Sequence, residues 1–198
     1  MIPMKKNTAI FLDRDGTINE EVGYLDSLEK LRIIPAAFEA IRLINQSSRK
    51  AIVVTNQAGV ARGLFGEDLV ENIHAALREA LRRRGAFIDS FFYCPHHPTE
   101  GLPPYRQSCD CRKPAPGLFL RAAREWNLDL SESWMIGDRY NDMEAAHRAG
   151  ARGILVKTGY GMEALAGKGP DTETPAGKPD LIADDILEAV RLILGDQA

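Results

Sequence analysis

The sequence lacks any run of about 20 apolar residues, which is the length that a helix needs to cross a bilayer. It also lacks a basic excess, because its 198 residues carry a formal net charge of −3, and this argues against a nucleic-acid-binding surface. Segment 1–13 contains two lysines but neither the apolar core nor the cleavage site of a signal peptide. We therefore expect a cytoplasmic protein that binds neither membranes nor nucleic acid.

Cysteine is scarce as well, with three residues that all lie between positions 94 and 111. So few thiols in so short a segment fit a metal site better than a disulfide framework. The rest of the composition, 44% hydrophobic and 27% charged, is ordinary for a globular protein. The length predicts one domain, residues 1–198, with a long loop at 94–113. No long apolar patch calls for a partner subunit, so we expect a monomer.

Short apolar runs alternate with helical patterns along the chain, which predicts an α/β fold with a parallel sheet. Predicted strands lie at 9–12, 51–54, 87–93, 133–136, 153–156 and 181–183. Predicted helices begin at Pro35 and span about 67–84, 116–126, 141–149 and 185–194. The stretch 158–178 is rich in Gly, Thr and Pro and predicts an exposed loop.

Polar residues follow three of the predicted strands. Asp13 ends the first, Thr55 and Asn56 end the second, and Asp138 ends the strand at 133–136. In open parallel sheets, ligands bind outside the carboxyl ends of the strands. The pattern therefore predicts a polar site at this edge of the sheet.

Asp13 and Asp15 place two carboxylates two residues apart where a strand becomes a turn. Two neighbouring carboxylates repel unless a cation or a proton lies between them, and Mg²⁺ prefers such oxygen ligands. One carboxylate can attack phosphorus as a nucleophile while the other transfers protons. Taken alone, the pair is more often a turn with capping aspartates.

The pair does not stand alone, because the chain resembles the haloacid dehalogenase (HAD) superfamily of phosphotransferases. The DxDGT motif of that family appears intact at residues 13–17. Its second motif matches Thr55, its third matches Lys113, and its acidic pair matches Asp138 and Asp142. The order is that of the family and covers nearly the whole chain. The resemblance implies a Rossmann-like parallel sheet with helices on both faces.

The resemblance also implies a role for each matched residue. Asp13 corresponds to the nucleophile and Asp15 to the general acid and base. Thr55 and Lys113 correspond to residues that bind the transferring phosphoryl oxygens. The implied magnesium ligands are Asp13, the backbone carbonyl of Asp15, and Asp138. Asp142 either holds magnesium-bound water or orients Lys113.

Three cysteines and a histidine in loop 94–113 offer the soft ligands of a tetrahedral zinc site. The spacing alone leaves open a loop with three reduced cysteines. The loop resembles the zinc loop of a HAD subgroup, which reads CPHHP followed by CxCRKP. This likeness implies four zinc ligands, Cys94, His96, Cys109 and Cys111, with His97 as a lesser competitor for His96. Four protein ligands leave no open position, so the zinc is expected to be structural. We predict His74 and His147 to be ordinary helix residues.

The segments between the motifs are short and leave no room for a cap domain over the pocket. The subgroup contains heptose bisphosphate and histidinol phosphate phosphatases. Segments 21–25, 31–35 and 55–63 are similar to the heptose bisphosphate branch. By this analogy, Asn56, Arg62 and Arg112 are candidates to bind the sugar or its second phosphate, since arginine binds phosphate bidentately. An exposed loop charge is the alternative for Arg62 and, less strongly, for Arg112.

The leading hypothesis is therefore a magnesium-dependent hydrolase that removes the 7-phosphate of D-glycero-D-manno-heptose 1,7-bisphosphate. The resemblance leaves the preferred anomer open. A histidinol-phosphate phosphatase is the first alternative, and a polynucleotide 3′-phosphatase is disfavoured by the acidic charge balance. A phosphate-transferring mutase and a non-catalytic, zinc-stabilised sugar-phosphate binding module remain as further alternatives.

Overall fold

The structure, a computed structural model, describes residues 6–171 and 177–195. Its described strands form one parallel sheet in the order β3-β2-β1-β4-β5-β6. The strands are β1 (Thr8–Leu12), β2 (Arg49–Asn56), β3 (Ser90–Cys94), β4 (Trp134–Gly137), β5 (Arg152–Val156) and β6 (Leu181–Ala183). The predicted α/β class with a parallel sheet is confirmed.

Helices connect the strands. They are α1 (Pro35–Gln46), α2 (Glu67–Arg82), α3 (Gly117–Trp126), α4 (Tyr140–Ala149), α5 (Gly161–Leu165) and α6 (Ile186–Leu194). Pro35 occupies the first turn of α1, where the missing N–H has no helical partner to lose. Gly150 ends α4 in the left-handed conformation, with φ of 86°, which a residue without Cβ adopts freely. Both boundaries follow from the local sequence.

The helices cover both faces of the sheet, as the resemblance implies. Alternate residues of β1 point to opposite sides, so Ile10 and Leu12 join one buried cluster while Ala9 and Phe11 join the other. The first cluster includes residues of α1, α2 and α6, and the second includes residues of α3, α4 and α5. Because both faces of β1 are buried, this strand forms the centre of the fold.

The strand order reverses direction at β1, which lies between β2 and β4. At such a switch point, the connections that follow the two strands leave on opposite faces and open a crevice. Asp13 directly follows β1 and Asp138 directly follows β4. The backbone N–H of Asp13 donates to the carbonyl of Ile136 at 2.9 Å, which fixes the two strand ends side by side.

The prediction of a loop across 158–178 is wrong in part, because α5 lies within it. Ala164 is buried in the core, so one apolar residue anchors this short helix despite its glycine-rich surroundings. Residues 172–176 of that predicted loop lie outside the described residues, as do 1–5 and 196–198.

The described residues form no cap domain, since only a turn segment and α1 separate β1 from β2. The segment between β2 and β3 is likewise a short loop and α2. Among residues 6–171 and 177–195, no helix combines the length and the apolar character that a membrane span requires.

Candidate active site

Lys113 and Asp13 form the centre of the site. The Lys113 Nζ donates to Asp13 Oδ1 at 2.8 Å and to the carbonyl of Val54 at 2.8 Å. It also lies 2.5 Å from Asp142 Oδ1. Only 3% of the Lys113 side chain is exposed, so its three N–H groups are all used inside the protein. Such a buried ammonium group is held in one position.

Asp142 reaches Lys113 from the first turn of α4. Its other carboxylate oxygen, Oδ2, accepts a hydrogen bond from the backbone N–H of Arg139 at 3.1 Å, as part of a capping box. Gly137 leaves room for this carboxylate, since a Cβ at that position would lie 2.4 Å from Asp142 Oδ2. Asp142 thus orients Lys113, which is one of the two roles expected for it.

Asp138 is buried between two glycines. A Cβ at Gly16 would lie 2.2 Å from Asp138 Oδ2, and a Cβ at Gly159 would lie 2.1 Å from it. Both glycines have positive φ, so the close approach and the backbone shape both exclude a side chain. The Tyr160 backbone N–H donates to Asp138 Oδ2 at 2.8 Å. The loop that follows β5 therefore closes around Asp138.

The three carboxylates Asp13, Asp138 and Asp142 each bring one oxygen to within 4.8 Å of the others. Asp138 Oδ1 is buried and has no hydrogen-bond partner among the described groups. A buried carboxylate oxygen without a partner is costly unless a cation binds it. Hard oxygen donors in this arrangement fit Mg²⁺.

Burial raises the pKa of Asp13 to about 6 even though Lys113 opposes the shift, and Asp142 adds to it. Burial also raises the pKa of Asp138 well above its ordinary range, with Asp13 and Asp142 contributing by repulsion. For Lys113, burial alone would lower the pKa, but Asp13 and Asp142 outweigh it and raise the value. The three carboxylates thus carry more negative charge than Lys113 neutralises, which again favours a bound cation.

Asp15 has a different environment. Burial alone would raise its pKa, but Arg14 together with Asn19 and Gln57 lowers it. Arg14 Nη2 lies 2.7 Å from Asp15 Oδ2, and Arg14 is 1% exposed. Asp13 and Asp15 are two residues apart, yet their pKa values shift in opposite directions. The two values diverge because Arg14 compensates the charge of Asp15, whereas Asp13 shares the single charge of Lys113 with Asp142.

Asn56 holds the backbone of Lys113 through two reciprocal hydrogen bonds. Its Nδ2 donates to the Lys113 carbonyl, and its Oδ1 accepts from the Lys113 N–H, each at 3.0 Å. The predicted substrate residue Asn56 therefore also positions the lysine. Thr55, one residue earlier in β2, accepts a hydrogen bond from Gln57 Nε2 at 3.0 Å.

Eight of the predicted residues share one pocket of about 270 Å³, whereas Asp138 is not among the residues that line it. Those that line it are Asp13, Asp15, Thr55, Asn56, Arg62, Arg112, Lys113 and Asp142. Arg62 lies at its edge, where Nη1 is 2.7 Å from Glu100 Oε2 and the guanidinium stacks near Tyr24. Arg112 donates from Nη1 to the His96 carbonyl at 3.2 Å. Two guanidinium groups thus lie near the phosphoryl site, where a second anionic group of a ligand can reach them.

Cys94, His96, Cys109 and Cys111 form a second cluster, with their ligand atoms within 4.8 Å of one another. Cys111 Sγ lies 3.1 Å from Cys94 Sγ and 3.2 Å from Cys109 Sγ. His96 Nδ1 lies 3.4 Å from Cys111 Sγ. Three sulfurs and one nitrogen around one point fit tetrahedral Zn²⁺.

His97 is outside this cluster. Its Nδ1 accepts from the backbone N–H of Glu100 at 3.0 Å and from that of Thr99 at 3.3 Å. The histidine therefore supports the turn of the loop, and the geometry favours His96 as the fourth ligand. His74 is fully buried and stacks on Phe91, which agrees with its prediction as an ordinary helix residue.

The two clusters are linked through the backbone. Cys94 ends β3 opposite Asn56 of β2, and its carbonyl accepts from the Gln57 N–H at 2.8 Å. Cys111 precedes Lys113 by two residues, so the thiol cluster fixes the segment that delivers the lysine. Loop 94–113 thus connects the second cluster to the pocket.

Comparisons with known proteins agree with this geometry. The HAD-hydrolase-like family model matches residues 110–189. The chain is 39% identical over 193 residues to the D-glycero-beta-D-manno-heptose-1,7-bisphosphate 7-phosphatase of Pasteurella multocida, covering 97% of this chain and 98% of that protein. The protein of the same name from Escherichia coli O6:H1 is 42% identical, over 78% of this chain and 82% of its own length.

The chain belongs to the HAD superfamily. Among solved structures, it is similar to the D,D-heptose 1,7-bisphosphate phosphatase of B. bronchiseptica complexed with magnesium and phosphate. That similarity has a TM-score of 0.83 and 31% identity, and it covers 96% of this chain and 99% of the other. For a HAD phosphatase, the three clustered carboxylates are the expected place for the magnesium ion, and the cysteine and histidine cluster fits zinc.

Sequence reasoning missed the part of this HAD site that follows β5. Thr158 Oγ1 donates to the Gly16 carbonyl at 2.6 Å, and Gly159 and Tyr160 contact Asp138. The available signal was the position of this Thr-Gly-Tyr-Gly segment, which follows the carboxyl end of a strand as Asp13 and Asp138 do. Arg14 and Gln57 were also missed, although each adjoins a predicted residue of the site.

Proposed function

We propose that the chain hydrolyses the 7-phosphate of D-glycero-β-D-manno-heptose 1,7-bisphosphate, with Asp13 as the nucleophile. The observation that carries the choice of substrate is the near full-length similarity to phosphatases of that name. The site supports the chemistry, because Asp13, Lys113 and Thr55 line the pocket that also contains Arg62 and Arg112. The β anomer is proposed because the curated relatives carry it in their names.

The proposed reaction has two steps. In the first, an oxygen of Asp13 forms a bond to the phosphorus while the bond between phosphorus and the sugar oxygen breaks. Asp15 gives a proton to the departing oxygen, so the heptose leaves as an alcohol. In the second step, Asp15 takes a proton from water, the water oxygen bonds to phosphorus, and the bond to Asp13 breaks. Phosphate is released and both carboxylates return to their starting state.

Charge stabilisation accompanies both steps. The transferring phosphoryl group carries negative charge on its oxygens. Lys113 is fixed beside Asp13 and can bind one of these oxygens, and the Thr55 hydroxyl can bind another. Asp13, the backbone carbonyl of Asp15 and Asp138 would hold Mg²⁺, which supplies Lewis-acid stabilisation of the same charge.

Arg62 and Arg112 are proposed to bind the 1-phosphate. Arg62 is restrained by Glu100, and Arg112 uses one N–H for the His96 carbonyl, so each keeps further donors for an anion. An open pocket without a cap domain leaves selectivity to these local groups.

The test measures phosphate release with Mg²⁺ from both anomers of heptose 1,7-bisphosphate and from histidinol phosphate, with the Asp13→Asn protein as the blank. A clear preference for the β-heptose bisphosphate in kcat/KM supports the proposal. A preference for the α anomer would correct the anomer, and a preference for histidinol phosphate would overturn the proposed substrate while keeping the chemistry.

A further inference from the structure

Arg14 is the largest fully buried side chain of the described residues, and neither the metal site nor the phosphate-binding groups account for it. It lies between Asp13 and Asp15 in the chain, and 1% of its side chain is exposed. A buried guanidinium group is expensive, and Arg14 Nη1 has no hydrogen-bond partner among the described groups. A fold that only needed to fill this space would do so at lower cost with an apolar side chain.

Nε and Nη2 of Arg14 both donate to Asp15, and Nη2 donates to Gln57 Oε1 as well. Arg14 Nε lies 3.1 Å from Asp15 Oδ1, while Nη2 lies 3.0 Å from Oδ1 and 2.7 Å from Oδ2. This fork binds both oxygens of one carboxylate and therefore fixes the plane of the group as well as its position. A lysine, with a single compact charge, would not fix that plane.

Two neutral amides complete the surroundings of Asp15. Asn19 Nδ2 donates to Oδ1 at 2.9 Å, and Gln57 Nε2 donates to Oδ2 at 3.0 Å. Each oxygen of an ionised carboxylate accepts about two hydrogen bonds, so both oxygens are saturated. This arrangement fits the ionised form of Asp15, so a proton, a leaving group or a water molecule can reach Asp15 only if one donor gives way.

Gln57 is the donor best placed to give way. It lines the pocket, its neutral amide binds the carboxylate less strongly than the guanidinium group of Arg14 does, and its Nε2 also lies 3.0 Å from Thr55 Oγ1. Its Oε1 accepts from Arg14 Nη2 at 2.9 Å, so the amide remains anchored when it releases Asp15. Arg14 then keeps the carboxylate in place during the exchange.

We propose that Arg14 is the positioning residue of the acid–base group: it holds the Asp15 carboxylate at the angle from which it exchanges its Gln57 contact for the leaving-group oxygen or the attacking water. This inference rests on the proposed function, in which Asp15 transfers the protons. It assigns Arg14 no contact with the substrate.

The test compares two leaving groups in the Arg14→Met protein. A sugar alkoxide needs a proton to depart, whereas p-nitrophenolate departs without one. General acid catalysis contributes about 10²–10⁴-fold, so we expect kcat for the heptose bisphosphate to fall at least about 100-fold. KM should stay within about threefold, because substrate binding is unchanged. The first-turnover burst of p-nitrophenol should keep most of its rate, followed by slow release of phosphate from Asp13.

A double variant separates positioning from a structural role. If Arg14 acts only through Asp15, then Arg14→Met combined with Asp15→Asn is no slower than Asp15→Asn alone. A further loss in the double variant, or equal losses in the first-turnover rate for the alkyl and aryl substrates in Arg14→Met, would overturn the inference. An unchanged kcat for the sugar substrate would overturn it as well.

Arg78→Met is the matched control, because Arg78 is an exposed arginine whose guanidinium group stacks at 4.5 Å over Phe91. It should leave both rates unchanged. If Arg14→Met does not fold, then Arg14→Lys carries the test, because it keeps the charge but cannot bind both oxygens of Asp15, and the first-turnover loss should again be confined to the sugar leaving group. If the wild-type protein releases no phosphate from the heptose bisphosphate, the proposed substrate fails, and the same comparison with an alkyl phosphate that the enzyme accepts still tests Arg14.

Discussion

The carboxylate cluster and the cysteine–histidine cluster bring their potential metal ligands together in different ways. The carboxylates Asp13 and Asp138 follow adjacent strands of the sheet, and Lys113 supplies a positive charge between them and Asp142. The four predicted zinc ligands lie at the end of an edge strand and in a long loop, with their sulfur atoms in contact. We therefore predict that the sheet holds the first cluster together and that the second depends on a bound metal ion.

The largest expected effect concerns the carboxylate cluster. Asp13→Asn removes the proposed nucleophile, and loss of a nucleophile in other enzymes costs up to about 10⁶ in kcat, so we expect at least about a 10⁴-fold loss. The variant should not lower the stability of the fold. Lys113 keeps its ion pair with Asp142, and one of the mutually repelling negative charges is removed. Phosphate release measures the loss of turnover, and thermal unfolding of the same preparation measures the stability.

Asp184→Asn is the control for this variant, since Asp184 is an exposed residue paired with Lys157. It should match the wild-type protein in both measurements. Wild-type-like turnover by Asp13→Asn would exclude Asp13 as the nucleophile. A large loss of melting temperature would contradict the view that strand ends hold this cluster.

Lys113→Met tests the internal cation of the first cluster. We expect kcat to fall about 10²–10³-fold, as for the loss of one charge-stabilising donor. The variant also leaves three buried carboxylates without their internal partner, and breaking a buried pair costs about 3–5 kcal/mol. Added Mg²⁺ should recover much of that stability, because it would replace the missing positive charge.

The measurement for Lys113→Met is the free energy of unfolding with and without Mg²⁺, alongside kcat. Lys50→Met is a suitable control, because Lys50 pairs with Asp89 away from the pocket. If Mg²⁺ stabilised the wild-type protein and the Lys113 variant equally, the expectation that Mg²⁺ replaces the missing charge of Lys113 would be wrong.

Zinc removal tests the second cluster. Thiolates that lose their metal repel each other, so we expect loop 94–113 to unfold locally and the melting temperature to fall by roughly 5–10 °C. Activity should fall about 10–100-fold, because Arg112 and Lys113 lose their support while Asp13 stays in place. Cys109→Ser should reproduce the effect without a chelator.

Thermal unfolding, zinc content and kcat of one chelated sample check this outcome, with Mg²⁺ restored in excess. Hydrogen exchange shows where the change lies, since protection should be lost in the loop and retained in β1. Full activity after verified removal of zinc would contradict the prediction that the second cluster depends on its metal.

The smallest predicted effect concerns the glycine contact at Asp138. Gly159→Ala places a Cβ 2.1 Å from Asp138 Oδ2, so the carboxylate must move, and we expect magnesium affinity to fall about tenfold. Gly167→Ala is a matched control, because Gly167 also has positive φ but a Cβ there meets no atom within 4 Å. Magnesium titrations of activity compare the two variants. If both variants bound magnesium with equal affinity, the contact between the new Cβ and Asp138 would have no effect of its own beyond the backbone strain that the two variants share.

The sequence located the carboxylate cluster because two of its residues, Asp13 and Asp138, directly follow strands. Strand periodicity and the motif spacing place Asp13 and Asp138 at one edge, and the structure confirms that they meet there. The contact between Asp142 and Lys113 was one of two alternatives, since spacing along the chain does not show which side chain of a helix faces a distant lysine.

Other features depend on contacts between segments that are far apart in sequence. The predicted strand 87–93 starts later, at Ser90, because Asn45 occupies both backbone groups of Phe87 through its side chain. The closure of Gly159 on Gly16 joins two loops 143 residues apart, which no local pattern reveals. Short motifs predict where a chain turns, whereas side-chain bonds of this kind depend on the completed fold.

The central position of β1 has a consequence for how the protein is made. The hydrogen bond between Asp13 and Lys113 spans 100 residues, and β1 gains its second neighbour only when β4 has been synthesised. A nascent chain that ends before residue 134 therefore carries the proposed nucleophile without Asp138 or Asp142. During translation, the carboxylate cluster therefore stays incomplete until residue 142 of the 198 has been added, so Asp13 has all of its cluster partners only after more than two thirds of the chain has been made.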